Sequence, residues 1–298
     1  MDLLSIDSLS DAQIEEILDR GQTLIEENRS TTKPVQTLRG RIVFNLFYEN
    51  STRTAMSFAT AAHRLGASAI SLSVEHSSVK KGETLEDTAA TLGAMRPDAL
   101  VIRHRDNGAP ARVAEIVDAP VINAGDGTNE HPTQALLDAA TIRHRFGKVE
   151  GLKVAICGDI RHSRVARSNA KLLPRLGAEV RLAGPRELMP NDIPELSIDD
   201  AISGADVVMM LRVQRERLEE DFGDRPGEYL GRYGLTANRL ANAAPEAVVM
   251  HPGPMNRGVE IDGAIADDPQ RSLITLQVEM GVAVRMACLD MLIREVDA

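Results

Sequence analysis

Arg41-Ile42-Val43-Phe44-Asn45-Leu46-Phe47-Tyr48-Glu49-Asn50-Ser51-Thr52-Arg53-Thr54 is the stretch that decides the fold. Through Tyr48 it is an apolar, β-rich run of the length of a buried strand. A helix is expected from about Arg53, with Phe58, Ala62 and Leu65 at i, i+4 and i+7 and Gly66 as its stop. At the junction, Ser51, Thr52, Arg53 and Thr54 set hydroxyls and a forked cation beside the unpaired N–H groups of a helix start. That combination is an anion site, and Arg53 suits phosphate oxygens in particular. An ordinary Ser or Thr cap with an exposed arginine would read the same way in isolation. The Gly-rich phosphate loop with its lysine is absent, which disfavours a nucleoside triphosphatase.

The same alternation continues outward. Strands are expected at 69–73, 99–103 and 120–123, with helices at 83–95 and 111–117 and a polar loop through Gly82. The loop from Asn123 to Glu130 leads to a helix from His131 to about Phe146, closed by Gly147. A second unit then shows apolar strands at 152–157, 178–183, 206–211 and 248–251, and a long terminal helix at 276–296. Continuous apolar strands separated by helices indicate parallel sheets covered on both faces. The expectation is an α/β fold of two lobes, each a parallel sheet flanked by helices, with the active site in the cleft between them. The lobes divide as 1–146 and 147–298, and the terminal helix packs back on the first. No internal repeat, low-complexity tract or long linker interrupts this pattern.

Bulk composition narrows the function classes. With 298 residues, 43% hydrophobic and 26% charged, the chain can bury a core and remain soluble. No run approaches the 18 or so apolar residues of a membrane span, and Met1-Asp2-Leu3-Leu4-Ser5 has no basic leader. Cys157 and Cys288 sit in apolar runs and read as buried free thiols of a cytoplasmic protein. A net charge of -10 argues against a general nucleic-acid binder. It does not forbid anionic ligands, because screening over about 8 Å leaves the local cluster to decide. An acidic protein that handles anions has to concentrate its cations in one place.

Ligands of such sheets bind outside the carboxyl ends of the strands, and the polar clusters fall there. In the first lobe they are Ser51 to Thr54, Ser77 to Lys81, and Arg103-His104. In the second they are Asp159 to Arg164, Arg212-Val213-Gln214, and His251-Pro252-Gly253-Pro254. Lys81 on its own would pass for solvated surface charge. His131 opens a helix with Pro132 in the first turn, a setting that biases imidazole toward its neutral, hydrogen-bonding form. Arg161, Arg164 and Arg167 stand at three-residue spacing, and Arg167 reads as part of a solvated face. A dinucleotide fingerprint is missing after the 152–157 strand, and neither histidines nor cysteines show metal-ligand spacing. Two arginines, Arg164 and Arg212, suit a substrate with two carboxylates.

In order along the chain, Phe47 to Thr54, Lys81-Gly82-Glu83-Thr84, Ile102-Arg103-His104, Asn123-Ala124-Gly125-Asp126-Gly127, His131-Pro132-Thr133-Gln134, Arg212-Val213-Gln214 and His251-Pro252-Gly253-Pro254 resemble the aspartate/ornithine carbamoyltransferase family. Ser-Thr-Arg-Thr marks the wider family. The Arg-Val-Gln and His-Pro-x-Pro segments resemble its aspartate branch, whereas the ornithine branch carries a His-Cys-Leu-Pro segment that is absent here. The resemblance implies transfer of a carbamoyl group from carbamoyl phosphate to L-aspartate, in pyrimidine biosynthesis, without metal, covalent nucleophile or redox cofactor. It implies carbamoyl phosphate on Ser51, Thr52, Arg53 and Thr54, with Arg103 bridging its phosphate and carbonyl. Thr54 and His131 would polarise that carbonyl, Gln134 would hold the NH2 group, and Gly253 and Pro254 would line the site. Arg164, Arg212 and Gln214 would bind aspartate. Ser77 and Lys81, both binding carbamoyl phosphate and Lys81 also aspartate, would come from a neighbouring subunit of a homotrimer, to which regulatory chains or a dihydroorotase could be joined. The alternative is a carbamoyltransferase for another amine such as ornithine, but a cationic acceptor would want acidic partners at Arg212 and Gln214. Two positions depart from common family usage: Ala55 replaces a further arginine, and Gly253 a bulkier residue.

Overall fold

The computed structural model describes residues 1–31, 36–73, 82–213 and 227–295. The chain forms two compact units, Met1–Ala140 with Val278–Ala298, and Thr141–Gln277. In the first, helix α1 (Asp11–Arg29) starts at a capping box: Ser10 accepts from the Gln13 N–H while the Gln13 side chain accepts from the Ser10 N–H. Strand β1 (Ile42–Phe47) then leads into α2 (Thr52–Arg64), followed by β2 (Ser68–Ser73), α3 (Leu85–Gly93), β3 (Ala99–His104), α4 (Ala109–Ala114), β4 (Val121–Asp126) and α5 (Pro132–Phe146).

All strand pairs are parallel, in the order β2-β1-β3-β4. In β1, Val43, Phe44, Asn45 and Leu46 are all buried, because helices cover both faces. Phe44 and Leu46 pack with Leu100, Ile102, Val113 and Val121. Phe58, Ala61 and Ala62 of α2, and Leu65 just after it, are completely buried. The helix stops at Gly66, whose φ of 83° is left-handed and where a Cβ would stand 2.7 Å from Gln36 Cβ.

The second unit contains β5 (Lys153–Cys157), α6 (Arg164–Arg175), β6 (Glu179–Ala183), α7 (Ile198–Ile202), β7 (Val207–Met210), α8 (Glu228–Tyr233), α9 (Ala237–Leu240), β8 (Val248–Met250) and α10 (Gly263–Ala266). Its sheet is again all parallel, in the corresponding order β6-β5-β7-β8. Ala155, Cys157, Val208, Met210 and Val249 form its centre with Ile198, Ile202 and Ile261. The last helix, α11 (Ile274–Glu295), belongs with the first unit from Val278 onward. There Arg29 pairs with Glu279, Thr37 donates to Asp290 and Arg285 donates to Ser57. The units divide between Ala140 and Thr141, inside α5, a few residues before the boundary expected after Phe146.

Helix α1 and the short helices α7 to α10 go beyond the elements expected from the sequence. Helix α4 begins two residues early and ends at Ala114, and β4 runs on to Asp126 rather than stopping at Asn123. The extension of β4 has a side-chain cause. Asn123 Oδ1 accepts from the Gly125 N–H, and Asp126 accepts from Gly108, Glu130 and the Asn123 and Asn129 amides. Among the described residues no helix is long and apolar enough to cross a membrane.

Candidate active site

Parallel strands end together, so the sheet order fixes which polar residues become neighbours. In the first unit Phe47 of β1 stands opposite Arg103 of β3, and the Tyr48 N–H donates to the Arg103 carbonyl at 2.9 Å. The start of α2 and the Arg103 side chain therefore occupy one sheet edge. His104 stands beside Asp126 at the end of β4, just before the turn to His131 and α5. One edge thus gathers Ser51, Thr52, Arg53, Thr54, Arg103, His131 and Gln134.

Ser51 is the N-cap residue of α2, yet its side chain makes no capping bond. The cap side chains of α1, α3, α6, α7, α9 and α10 all accept one from their own helix. The ordinary-cap reading of Ser51 is therefore not what the structure contains. The N–H groups of Thr52, Arg53 and Thr54 have no carbonyl of the same helix to bond, and they carry the positive end of the helix dipole. Arg53 is exposed and Thr54 buried.

Arg103 is held from two sides. One Nη lies 2.6 Å from Glu49 Oε1, and the other donates to the Ala124 carbonyl at 3.3 Å. Glu49 fixes the direction of a guanidinium that would otherwise have several rotamers to lose. The motif order does not single Glu49 out, although a carboxylate two residues before an anion-binding turn is itself a signal. His131 is buried immediately before α5. The Gln134 amide donates to Asp138 Oδ1 at 2.9 Å.

The second unit repeats the arrangement. Cys157 of β5 is level with Met210 of β7, and Met209 with Met250 of β8. The Leu211 N–H donates to the Cys157 carbonyl at 2.8 Å. Gly158 allows this approach, because a Cβ there would lie 2.9 Å from the Leu211 oxygen, and its φ is 130°. Arg164 at the start of α6, Arg212 after β7 and the segment from His251 to Pro254 after β8 therefore lie at one edge. Arg164 is buried and Arg212 partly exposed. Arg161 precedes α6 instead of lying on it, and clamps the Met189 carbonyl with Nε and Nη2, a structural task. Arg167 is exposed.

Gly253 and Pro254 are joined by a cis peptide bond, and the turn that carries them is braced from behind. The Gly253 N–H donates to His251 Nδ1 at 2.8 Å, which leaves the proton on Nε2, facing the buried Glu260 at 3.3 Å. Glu260 also accepts from the Asn256 N–H. Ser77, Lys81 and Gln214 lie outside the described residues. Among the described residues no group of three His, Cys, Asp or Glu side chains is placed to hold a metal ion.

The two edges, one a helix start with an arginine braced on a carboxylate and the other a pair of arginines, are each built to take an anion. Residues 1–144 match the family described as "Aspartate/ornithine carbamoyltransferase, carbamoyl-P binding domain". Residues 150–292 match "Aspartate/ornithine carbamoyltransferase, Asp/Orn binding domain". The chain belongs to the aspartate/ornithine carbamoyltransferase family. It is 56% identical over 296 residues to the aspartate carbamoyltransferase catalytic subunit of Rhodospirillum rubrum, covering 97% of this chain and 93% of that one. It is 56% identical over 299 residues to the subunit of the same name from Granulibacter bethesdensis, covering 98% and 95%. Among solved structures, aspartate transcarbamoylase from Trypanosoma cruzi in complex with carbamoyl phosphate superposes with a TM-score of 0.88 at 33% identity, over 97% and 94% of the chains. The catalytic subunit of the M. jannaschii enzyme superposes at 0.86 with 35% identity, over 100% and 99%.

Proposed function

We propose that this protein transfers the carbamoyl group of carbamoyl phosphate to the amine of L-aspartate, giving N-carbamoyl-L-aspartate and phosphate. The observation that carries the reading is the match of charge to chemistry at both sheet edges. A phosphorylated donor suits the helix start at Ser51 and the braced Arg103, and a dicarboxylate acceptor suits Arg164 and Arg212. Near-full-length identity of 56% with subunits named for this activity supports it.

In this reading Ser51, Thr52, Arg53 and Thr54 take the phosphate, with Ser77 and Lys81 supplied by a neighbouring subunit of a homotrimer. Arg103 spans phosphate and carbonyl, and Gly253 and Pro254 line the donor. The neutral aspartate amine attacks the carbonyl carbon. The C–N bond forms as the carbonyl π pair moves to oxygen, where Arg103, His131 and Thr54 stabilise the oxyanion. That pair returns as the C–O bond to phosphate breaks, and the amine proton leaves with the departing phosphate. Gln134 holds the carbamoyl NH2, while Arg164, Arg212 and Gln214 hold the two carboxylates of aspartate. Orientation and fixed positive charge lower the barrier. The product belongs to pyrimidine biosynthesis in the cytoplasm.

Purified protein supplied with carbamoyl phosphate is expected to carbamoylate L-aspartate, and L-ornithine at most about a hundredth as fast, given the mispaired charge at Arg212. Carbamoylation of ornithine at an equal or greater rate would sink the assignment of the acceptor.

A further inference from the structure

Gln134 and Asp138 lie one turn apart on the same face of α5, 7% and 0% exposed, with Gln134 Nε2 2.9 Å from Asp138 Oδ1. On a solvent-facing helix such an i, i+4 pair is a minor stabiliser. Buried, it decides which end of the amide points where. A carboxylate oxygen only accepts, so the amide nitrogen turns to Asp138 and Oε1 is aimed the other way. The opposite flip would set two oxygens against each other out of reach of water. The buried Arg285 guanidinium of α11 interacts electrostatically with Asp138 and donates to Ser57 Oγ at 2.8 Å.

We propose that Asp138 is a positioning residue: it fixes the Gln134 amide with its oxygen presented to the donor's NH2 group, and so makes the site select a carbamoyl over an acetyl group. This rests on the reading of Gln134 given under Proposed function. Carbamoyl phosphate and acetyl phosphate share a phosphate and a carbonyl, and differ by NH2 against CH3. A fixed acceptor gains a hydrogen bond from the first and is left facing a methyl by the second. Replacing Asp138 with asparagine inverts the arrangement. Its single oxygen is drawn toward the Arg285 cation, its NH2 then faces Gln134, and the Gln134 amide turns over.

The test compares wild type, Asp138→Asn and the double variant Gln134→Glu/Asp138→Asn, reading the Kd of carbamoyl phosphate and of acetyl phosphate. Asp138→Asn is expected to weaken carbamoyl phosphate about tenfold and acetyl phosphate less than about twofold. In the double variant the carboxylate at 134 accepts from Asn on one side and from substrate NH2 on the other, and the preference returns. Equal weakening of both ligands, or an unchanged preference in Asp138→Asn, overturns the proposal. If Asp138→Asn does not fold, the charge-conserving double variant decides alone: a wild-type preference supports the proposal, and a lost preference overturns it. Carbamoyl aspartate formation by wild type is measured in parallel, so that failure of the functional reading is seen separately.

Discussion

Arg103 shows at the residue scale why a cation alone does not make an anion site. Its guanidinium is directed by the Glu49 carboxylate and the Ala124 carbonyl, so its position is set before a substrate arrives. His104, next in the chain, faces the other way and serves the fold. Its Nδ1 accepts from the Asp106 N–H at 3.0 Å, and its ring leans on Tyr48 at 4.9 Å. Burial holds this imidazole below its ordinary 6.5, partly offset by Asp106 and reinforced by Arg112 and Arg105. Between the folded and unfolded values the unfolded chain binds more protons, so the stability is complete above about pH 6.5 and drains away as pH falls through the folded value. His104→Asn keeps an acceptor for the Asp106 N–H and does not titrate. Its melting temperature is therefore expected to fall less than that of wild type between pH 7 and pH 5, as read by calorimetry. Parallel curves for the two proteins would remove His104 from the account.

At the scale of elements, the strand-to-helix turn is the recurring device, and it works differently in the two sheets. After β1 the chain enters α2 with an N-cap serine that makes no side-chain cap, so hydroxyl and backbone donors face the sheet edge together. After β5 the turn holds Gly158, whose positive φ lets the Leu211 carbonyl come close and sets where Arg212 leaves β7. Gly158→Ala brings a methyl against that oxygen in a backbone conformation L-residues avoid, a cost of about 1–3 kcal/mol. The expected kinetic result is a several-fold rise in KM for aspartate with KM for carbamoyl phosphate nearly unchanged. An equal rise in both would show that the strain is not confined to the second sheet.

For the whole molecule, a net charge of -10 and two anionic substrates are compatible because the cations are not spread evenly. Arg53, Arg103, Arg164 and Arg212 each close a strand or open a helix, and Lys81 is proposed to come from a second subunit. Arg53→Ala and Lys81→Ala chains are each expected to be inactive alone and to recover activity when dissociated, mixed and reassembled, since some sites then receive both wild-type residues. Mixtures that stay as inactive as the separate variants would refute a shared site.

The opening stretch was legible because apolar period, β-branched residues and a helix stop agree there, and β1, α2 and Gly66 follow from it. Helix α1 has its own signal in Ser10-Asp11-Ala12-Gln13, a single capping box weaker than the alternation downstream. Residue chemistry and motif order determined by themselves the fold class, the family and most of the residues proposed for the site. The tertiary structure alone decided that Arg103 leans on Glu49, and that the pairs Gln134–Asp138 and His251–Glu260, close in the chain, are buried. The reason is physical. An anion-binding helix start is written in adjacent residues, whereas the direction of the Arg103 guanidinium is set by a carboxylate 54 positions away that meets it only through packing.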